Sequence, residues 1–245
     1  MLKGGIMLEV LRLNVHYGDF QALHNISLKI KHGSIVSIIG SNGAGKTTLL
    51  NTILGFNKPT SGIVAFQGEK INAMPTHKIV EQGLTMSPEG SKVFQKMTVK
   101  ENLLMGAYLP KARKDKEETL ELVYDMFPIL REKAEQSATY LSGGQRQMLA
   151  IGRAIMSKPK LLFCDEISLG LAPVIIKDIY QTIKRISQQG LTIVLVEQDV
   201  KRSLRYSDYS YVMLKGQIVL EGNSAELVET EVKDAYFGVN KYAKY

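Results

Sequence analysis

The chain has 245 residues, of which 44% are hydrophobic and 22% are charged, as in an ordinary globular protein with a sizeable core. No apolar run is long enough to span a bilayer, the first residues lack the apolar centre of a signal peptide, and a single cysteine, Cys164, excludes an intrachain disulfide and suits a reducing cytoplasm. The net charge of +7 comes from scattered basic residues, so we favour a solvated surface over a nucleic-acid or membrane surface.

The first part of the chain predicts strands. Residues 8–15 and 26–30 alternate apolar and polar side chains, as half-buried strands do. Residues 35–39 form a short apolar strand that runs into a glycine-rich turn, and residues 47–54 predict a helix that ends at a glycine. Residues 63–66 predict a further strand. Upstream of these strands, Met1 and Met7 both fit the natural start, and the sequence leaves the choice open.

A helical region follows, from about residue 87 to residue 157. Apolar side chains recur there at helical spacing on one face: Leu120, Val123, Phe127 and Leu130. Residues 140–155 predict a second helix, with Ser142 as its N-cap.

From residue 160 onward, strands and helices alternate. The pattern predicts strands at residues 161–165 and 193–196, a helix at residues 173–187 between them, and a hairpin turn at Lys215 and Gly216. Because strands that alternate with helices form parallel sheets, we predict an α/β protein with a helical insertion.

The segment from Gly40 to Thr47 fits the pattern G-x-x-x-x-G-K-[ST] at every fixed position, and it lies between a predicted strand and a predicted helix. Glycines let backbone N–H groups curl around phosphate oxygens, and the following helix points its positive end at the same anion. Lys46 supplies a charge for the β- and γ-phosphates, and the Thr47 hydroxyl is a ligand for Mg²⁺. The segment therefore predicts a nucleoside triphosphate site.

The predicted strand at residues 161–165 ends in two acids. Asp165 beside the phosphate loop would hold Mg²⁺, and Glu166 would orient or deprotonate an attacking water. Such a strand end is weak evidence alone, because many α/β proteins finish strands with acids, and strong downstream of a phosphate loop. Residues 141–145, Leu-Ser-Gly-Gly-Gln, open the second predicted helix. Alone they favour an N-capped helix after a flexible turn, but beside the other two motifs they indicate a second anion site. One nucleotide does not need two such sites from the same molecule.

Together these motifs make the chain similar to the nucleotide-binding subunits of ABC transporters, over nearly its whole length. The resemblance implies a P-loop NTPase of the ABC ATPase fold, with a RecA-like core, an antiparallel β subdomain and an inserted α-helical subdomain. It implies one domain over residues 1–245, in which residues 1–86 and 158–245 form the catalytic core with the β subdomain. Residues 87–157 form the helical subdomain.

The resemblance also implies roles for individual residues, and ATP and Mg²⁺ as cofactors. ATP is held by an adenine-stacking aromatic and the phosphate loop: Tyr17, Gly40, Ser41, Asn42, Gly43, Ala44, Gly45, Lys46, Thr47 and Thr48. Catalysis falls to Glu166 and Gln198, and Mg²⁺ to Thr47, Glu89 and Asp165. The family signature closes over the ATP of a partner subunit: Leu141, Ser142, Gly143, Gly144 and Gln145.

Two positions depart from the family pattern. Glu89 stands where a Gln is usual, and Gln198 stands where a His is usual. A carboxylate still binds Mg²⁺, and an amide still donates a hydrogen bond to a γ-phosphate but cannot become a cation. The loop at residues 168–171 also lacks the common Ala-Leu-Asp ending of the dimer-contact loop. With neighbouring residues, these departures resemble the branched-chain amino-acid importers of prokaryotes, although similar ATPases serve urea or amides.

The resemblance therefore implies an ATPase subunit that powers uptake of branched-chain amino acids from the cytoplasmic face of a prokaryotic membrane. Its expected partners are a second ABC ATPase subunit, as a homodimer or a sibling heterodimer, membrane permease subunits and, indirectly, a substrate-binding protein. A soluble ABC ATPase acting on nucleic acid is the alternative, although such proteins usually carry two cassettes; we expect no nucleic-acid partner. One apolar group suits either a docked partner helix or core packing: Met97, Leu103, Leu104 and Met105.

Overall fold

A computed structural model describes residues 5–237, and the observations below concern that part of the chain. Its strands form two sheets. The strands are β1 Ile6–Tyr17, β2 Phe20–Lys31, β3 Ile35–Ile39, β4 Ser61–Phe66, β5 Glu69–Lys70, β6 Leu84–Ser87, β7 Leu161–Asp165, β8 Thr192–Glu197, β9 Tyr209–Leu214 and β10 Gln217–Asn223. The helices are α1 Lys46–Ile53, α2 Thr76–Gln82, α3 Val99–Gly106, α4 Pro110–Lys114, α5 Lys116–Met126, α6 Pro128–Glu132, α7 Gly143–Ile155, α8 Pro173–Gln188, α9 Val200–Tyr206 and α10 Glu229–Phe237.

The first sheet is antiparallel, in the order β2-β1-β4-β5. Val10 of β1 lies opposite Leu28 of β2 and Val64 of β4, and all three side chains are buried. The predicted strands in this region are confirmed, but β1 and β2 are longer than the alternation indicated. They continue to the turn at Gly18 and Asp19, because pairing extends to the Tyr17–Phe20 pair beside that turn.

The second sheet has the order β10-β9-β3-β8-β7-β6. Strands β6, β7, β8, β3 and β9 pair in parallel, and β10 returns antiparallel to β9 through the predicted turn at Lys215 and Gly216. Every residue of β3, β7 and β8 is buried, as expected for strands covered on both faces. The parallel topology brings the ends of β3, β7 and β8 to one edge, at Ile39, Asp165 and Glu197.

The helical region between β6 and β7 has its own apolar core. Leu120, Val123, Phe127 and Leu130 are all buried, as predicted, but they do not share one helix. The first two lie on α5, Leu130 lies on α6, and Phe127 lies between the two helices. Pro128 is the cause: its ring disfavours the helical conformation of the residue before it, and Phe127 has φ −134° and ψ 77°.

Helices α3 and α7 pack so closely that their backbones nearly touch. A Cβ added at Gly106 would lie 2.0 Å from the carbonyl oxygen of Arg153. Leu103 on α3 is fully buried, which assigns it to core packing, whereas Met105 is half exposed. No helix within residues 5–237 is long and apolar enough to cross a membrane.

Candidate nucleotide site

The loop between β3 and α1 has the backbone that the glycine pattern predicts. Gly43 and Gly45 have φ of 80° and 100°, a region that favours glycine. Gly45 is the N-cap of α1, so the first turn of this helix opens onto the loop. Gly40 is held tightly from behind, because an added Cβ would lie 2.7 Å from the carbonyl oxygen of Met213. The loop is therefore a shaped cradle for an anion.

Lys46 is buried across the mouth of this cradle, with 4% of its surface exposed. Its Nζ donates to the carbonyl oxygens of Gly40 at 2.8 Å and Ser41 at 3.1 Å. The same ammonium lies 3.3 Å from Oε1 of Glu166, so the lysine pairs with the candidate catalytic acid. Bound phosphate groups would compete with Glu166 for this one cation.

Glu166 and Gln198 lie together, as the catalytic hypothesis requires. Nε2 of Gln198 donates to Oε2 of Glu166 at 2.7 Å and to Oδ1 of Asn42 at 2.8 Å. Gln198 therefore bridges the phosphate loop and the acid. The sequence placed Asn42 in the loop but gave no sign of this contact, which joins residues that lie 156 positions apart.

Asp165 lies beside this group and is buried, with 7% of its surface exposed. The pKa of its carboxyl is raised to about 6, mainly by burial and also by the charges of Glu166 and Glu89, while Lys46 opposes the shift. A carboxylate surrounded by other acidic side chains favours a bound cation, because the cation offsets the like charges. Among the described residues, no group of three or more His, Cys, Asp or Glu side chains has an arrangement that could hold a metal ion by itself. Mg²⁺ tolerates few protein ligands, because it keeps several waters.

A cleft of about 570 Å³ runs from the phosphate loop to the turn between β1 and β2. Ten of the predicted residues line it: Tyr17, Ser41, Asn42, Gly43, Gly45, Lys46, Thr47, Thr48, Glu89 and Glu166. Gly40, Ala44, Asp165 and Gln198 are not among the lining residues. Ala44 is 1% exposed, which indicates a packing role beneath the loop.

Tyr17 lies at the outer end of the cleft, 48% exposed, and its hydroxyl accepts a hydrogen bond from Nδ2 of Asn57 at 2.6 Å. Sequence reasoning missed Phe20, which also lines the cleft and is 69% exposed. Its position across a two-residue turn from Tyr17 was the available signal, because such a turn brings the two strand ends together. The two aromatics form an open, ring-lined end suited to a planar base.

The signature segment lies elsewhere. Ser142 is the N-cap of α7 and forms a capping box with Gln145: the Ser142 side chain accepts from the Gln145 N–H at 3.3 Å, and Gln145 Oε1 accepts from the Ser142 N–H at 3.0 Å. Both residues line a separate cavity of about 760 Å³ between α5, α7 and α8. Leu141 is buried. No signature residue lines the phosphate-loop cleft, so a single described molecule does not bring the two predicted anion sites together.

A parallel sheet, a phosphate loop between β3 and α1, and acids at the end of β7 define a P-loop nucleoside triphosphatase. Comparison with known proteins identifies the family within that class. Residues 23–168 match the ABC transporter family, and the chain belongs to this family. It is 44% identical to the high-affinity branched-chain amino acid transport ATP-binding protein BraG of Pseudomonas aeruginosa, over 95% of this chain and all of the relative.

Solved structures agree with the fold. The ADP conformation of MJ1267, an ATP-binding cassette of an ABC transporter, superposes with a TM-score of 0.83 at 30% identity, over 94% of each chain. The post-hydrolysis dimer of the cassette MJ0796, bound to ADP and Pi, has a TM-score of 0.74 at 26% identity, over 89% of this chain and 99% of that one. The predicted ABC ATPase fold is confirmed, and the chain is an ATP-binding, ATP-hydrolysing subunit of the ABC type.

Proposed function

We propose that this chain hydrolyses Mg–ATP at a site shared with a second ABC ATPase subunit, and thereby drives import of branched-chain amino acids through membrane permease subunits. The proposal of a shared site is supported by one observation: the signature and the phosphate loop lie apart within one subunit. Each anion site is half of a nucleotide site, so two subunits arranged head to tail would complete two. The chain would then act at the cytoplasmic face of the membrane.

The contacts of Lys46 suggest how binding prepares the site. The ammonium contacts Glu166 and two loop carbonyl oxygens. Phosphate oxygens would take over this cation, which leaves Glu166 to orient a water and accept its proton. Gln198 holds Glu166 through its amide, and its contact with Asn42 places that amide beside the phosphate loop, where it would donate to a γ-phosphate. Most of the catalysis is then positioning and charge neutralisation.

Thr47, Asp165 and Glu89 would hold Mg²⁺, which neutralises charge on the β- and γ-phosphates when bound. The acidic surroundings of Asp165 fit such a cation. Tyr17, with Phe20 beside it, would stack against the adenine ring. Leu141 to Gln145 would contact the ATP of the partner subunit, with the N-terminus of α7 facing its phosphates.

We propose the division into residues 1–86 and 158–245 as catalytic core with β subdomain, and residues 87–157 as helical subdomain. A cavity of about 350 Å³ lies between the two parts. Its lining combines residues near α1 with residues of the helical part: Leu54, Phe56, Met86, Pro88, Phe94, Met105, Tyr108 and Arg153. Because Pro88 precedes Glu89, a permease segment docked here would contact the loop that reaches the metal site.

The assignment of branched-chain amino acids rests on the similarity to BraG, which extends over that protein's whole length. Substrate selection in such a system belongs to the permease and substrate-binding subunits, so this chain's own residues do not read the substrate. Transport is therefore the decisive assay.

In cells of the source organism that lack this gene, we expect uptake of labelled leucine to fall and to return with the wild-type chain but not with Lys46→Ala. Uptake of labelled urea and sulfate serves as the specificity control. Loss of urea uptake with intact leucine uptake would contradict the substrate assignment while leaving the ATPase in place.

A further inference from the structure

We infer that Glu197 is a positioning residue, whose buried carboxylate fixes the loop after Glu166 relative to the phosphate loop and Gln198. Glu197 is the last residue of β8 and is 3% exposed. It immediately precedes Gln198 but does not line the nucleotide cleft. A buried carboxylate at the edge of an active site is costly unless its oxygens are satisfied, so its partners matter.

Both carboxylate oxygens of Glu197 accept hydrogen bonds. The Tyr180 hydroxyl of α8 donates to Oε1, and the Ser168 hydroxyl donates to Oε2 at 3.0 Å. Tyr180 is fully buried and Ser168 is 7% exposed, so water does not compete readily for either contact. The carboxylate therefore ties β8 to α8 and to the loop after Glu166.

Arg202 of α9 completes the network. Its Nη1 donates to Oγ of Ser168 at 2.6 Å, and its guanidinium lies 6.0 Å from the centre of the Tyr180 ring. Ser168 thus accepts from a cation and donates to an anion, which fixes its orientation. Leu169 and Gly170, the next residues of this loop, are exposed. The network therefore anchors the inner side of a loop whose outer side is free to meet a partner.

The backbone at the end of β8 connects the same point to the reacting groups. The N–H of Gly40 donates to the carbonyl oxygen of Glu197 at 3.2 Å, and the N–H of Glu166 donates to that of Val196 at 2.9 Å. A shift of Glu197 would move Gln198, Glu166 and the phosphate loop relative to each other. Turnover depends steeply on such distances, whereas ATP affinity depends mainly on the phosphate loop itself.

The test compares two tyrosines. Tyr180→Phe removes one buried hydroxyl from the network, and Tyr211→Phe removes one buried hydroxyl that bonds only the backbone of Lys29, outside the site. In the purified full-length chain we expect Tyr180→Phe to lower kcat about tenfold, with KM for ATP within about twofold of wild type. Tyr211→Phe should keep wild-type kcat, although we expect thermal unfolding to show a loss of stability in both variants.

A second pair keeps the test decisive if Tyr180→Phe does not fold. Ser168→Thr retains the hydroxyl and should restore most of the kcat that Ser168→Ala loses. Equal kcat in the two tyrosine variants, or in the two Ser168 variants, would overturn the inference.

The inference rests on the proposed roles of Glu166 and Gln198. Suppose that Glu166→Gln inactivates the enzyme but Tyr180→Phe has the same kcat as the control Tyr211→Phe. That result refutes the positioning role alone. Wild-type turnover in Glu166→Gln instead refutes the catalytic role that the proposed function gives to Glu166.

Discussion

Gln198 is the residue where this site departs most clearly from the family pattern. Its amide donates to both Glu166 and Asn42, so it fixes the acid relative to the phosphate loop. An amide keeps its donors at every pH, whereas an imidazole in this place would change charge near neutrality. The site therefore relies on hydrogen bonding rather than on a cationic side chain at this position.

We expect Gln198→Ala to lower kcat for ATP hydrolysis by about 10- to 100-fold with little change in KM, because it removes a preorganised donor without touching the phosphate loop. Gln198→His restores a ring N–H donor and should retain more activity. Steady-state ATPase assays at saturating Mg²⁺ decide between them. Unchanged turnover in Gln198→Ala would exclude Gln198 from catalysis.

The ionised carboxylate of Asp165 lowers the stability of the folded protein. Its pKa is raised from 3.8 to about 6, so the folded protein binds a proton more tightly than the unfolded chain does. The resulting contribution to stability is present below about pH 4 and is lost as pH rises through 6.

Asp165→Asn should therefore raise the free energy of unfolding of the nucleotide-free protein at pH 7.5, by about 1–3 kcal/mol, and by less at pH 5. The same change should weaken Mg²⁺-dependent ATP hydrolysis. Denaturant titrations at the two pH values measure the effect, and Asp178→Asn on the exposed face of α8 is the matched control. A gain that does not depend on pH would show that ionisation of Asp165 is not its cause.

At the scale of elements, two helices begin with the same device. Thr98 and Glu101 form a capping box at α3, and Ser142 and Gln145 form one at α7. Each box satisfies N–H groups that the first helical turn leaves without partners. Only the capping box at α7 lies in the proposed contact with a partner's ATP. Comparing the two boxes therefore distinguishes an effect on helix stability from an effect on binding.

We expect Thr98→Ala and Ser142→Ala each to lower the free energy of unfolding by about 1 kcal/mol. Only Ser142→Ala should also weaken nucleotide-dependent association of subunits. Chemical denaturation measures the first effect, and sedimentation with Mg–ATP measures the second. Similar losses of association in both variants would assign the Ser142 effect to helix stability alone.

The sequence predicts elements well where local chemistry decides them. The phosphate loop, the hairpin at Lys215 and Gly216 and the N-cap Ser142 all follow from residues with specific backbone preferences. The break at Phe127 was also readable, since Pro128 follows it, but the apolar periodicity concealed it. The strand β6 and the helix α2 were not predicted, because β6 has only four residues and its burial depends on pairing with β7.

Contacts between distant elements were beyond sequence reasoning. The link from Gln198 to Asn42 and the network around Glu197 depend on the parallel order of β3, β8 and β7, which no short segment encodes. Patterns identified which residues carry chemistry, such as Lys46 and Glu166. They did not indicate which neighbours hold those residues in place, because packing between elements sets the distances.

The whole molecule presents a phosphate loop and a signature at separate sites, and the proposed function therefore makes its active form an assembly. ATP bound by one subunit's loop and another's signature would bridge the two, and nucleotide would then favour the dimer by mass action. Glu166→Gln retains the shape of the acid and its hydrogen bond to Gln198 but removes the base. We expect it to bind ATP, hydrolyse it slowly and accumulate as a dimer, as light scattering with and without Mg–ATP would show.

A double variant supplies the control for this last prediction. Adding Ser142→Ala to Glu166→Gln removes the signature hydroxyl and should return the protein toward monomer at the same ATP concentration, while single-site ATP binding persists. A dimer that forms equally without nucleotide, or that survives loss of Ser142, would mean that the surfaces associate independently of ATP. If Glu166→Gln alone stays monomeric with ATP bound, the second half-site belongs to a sibling ATPase, and the same trapping should appear when that subunit is added.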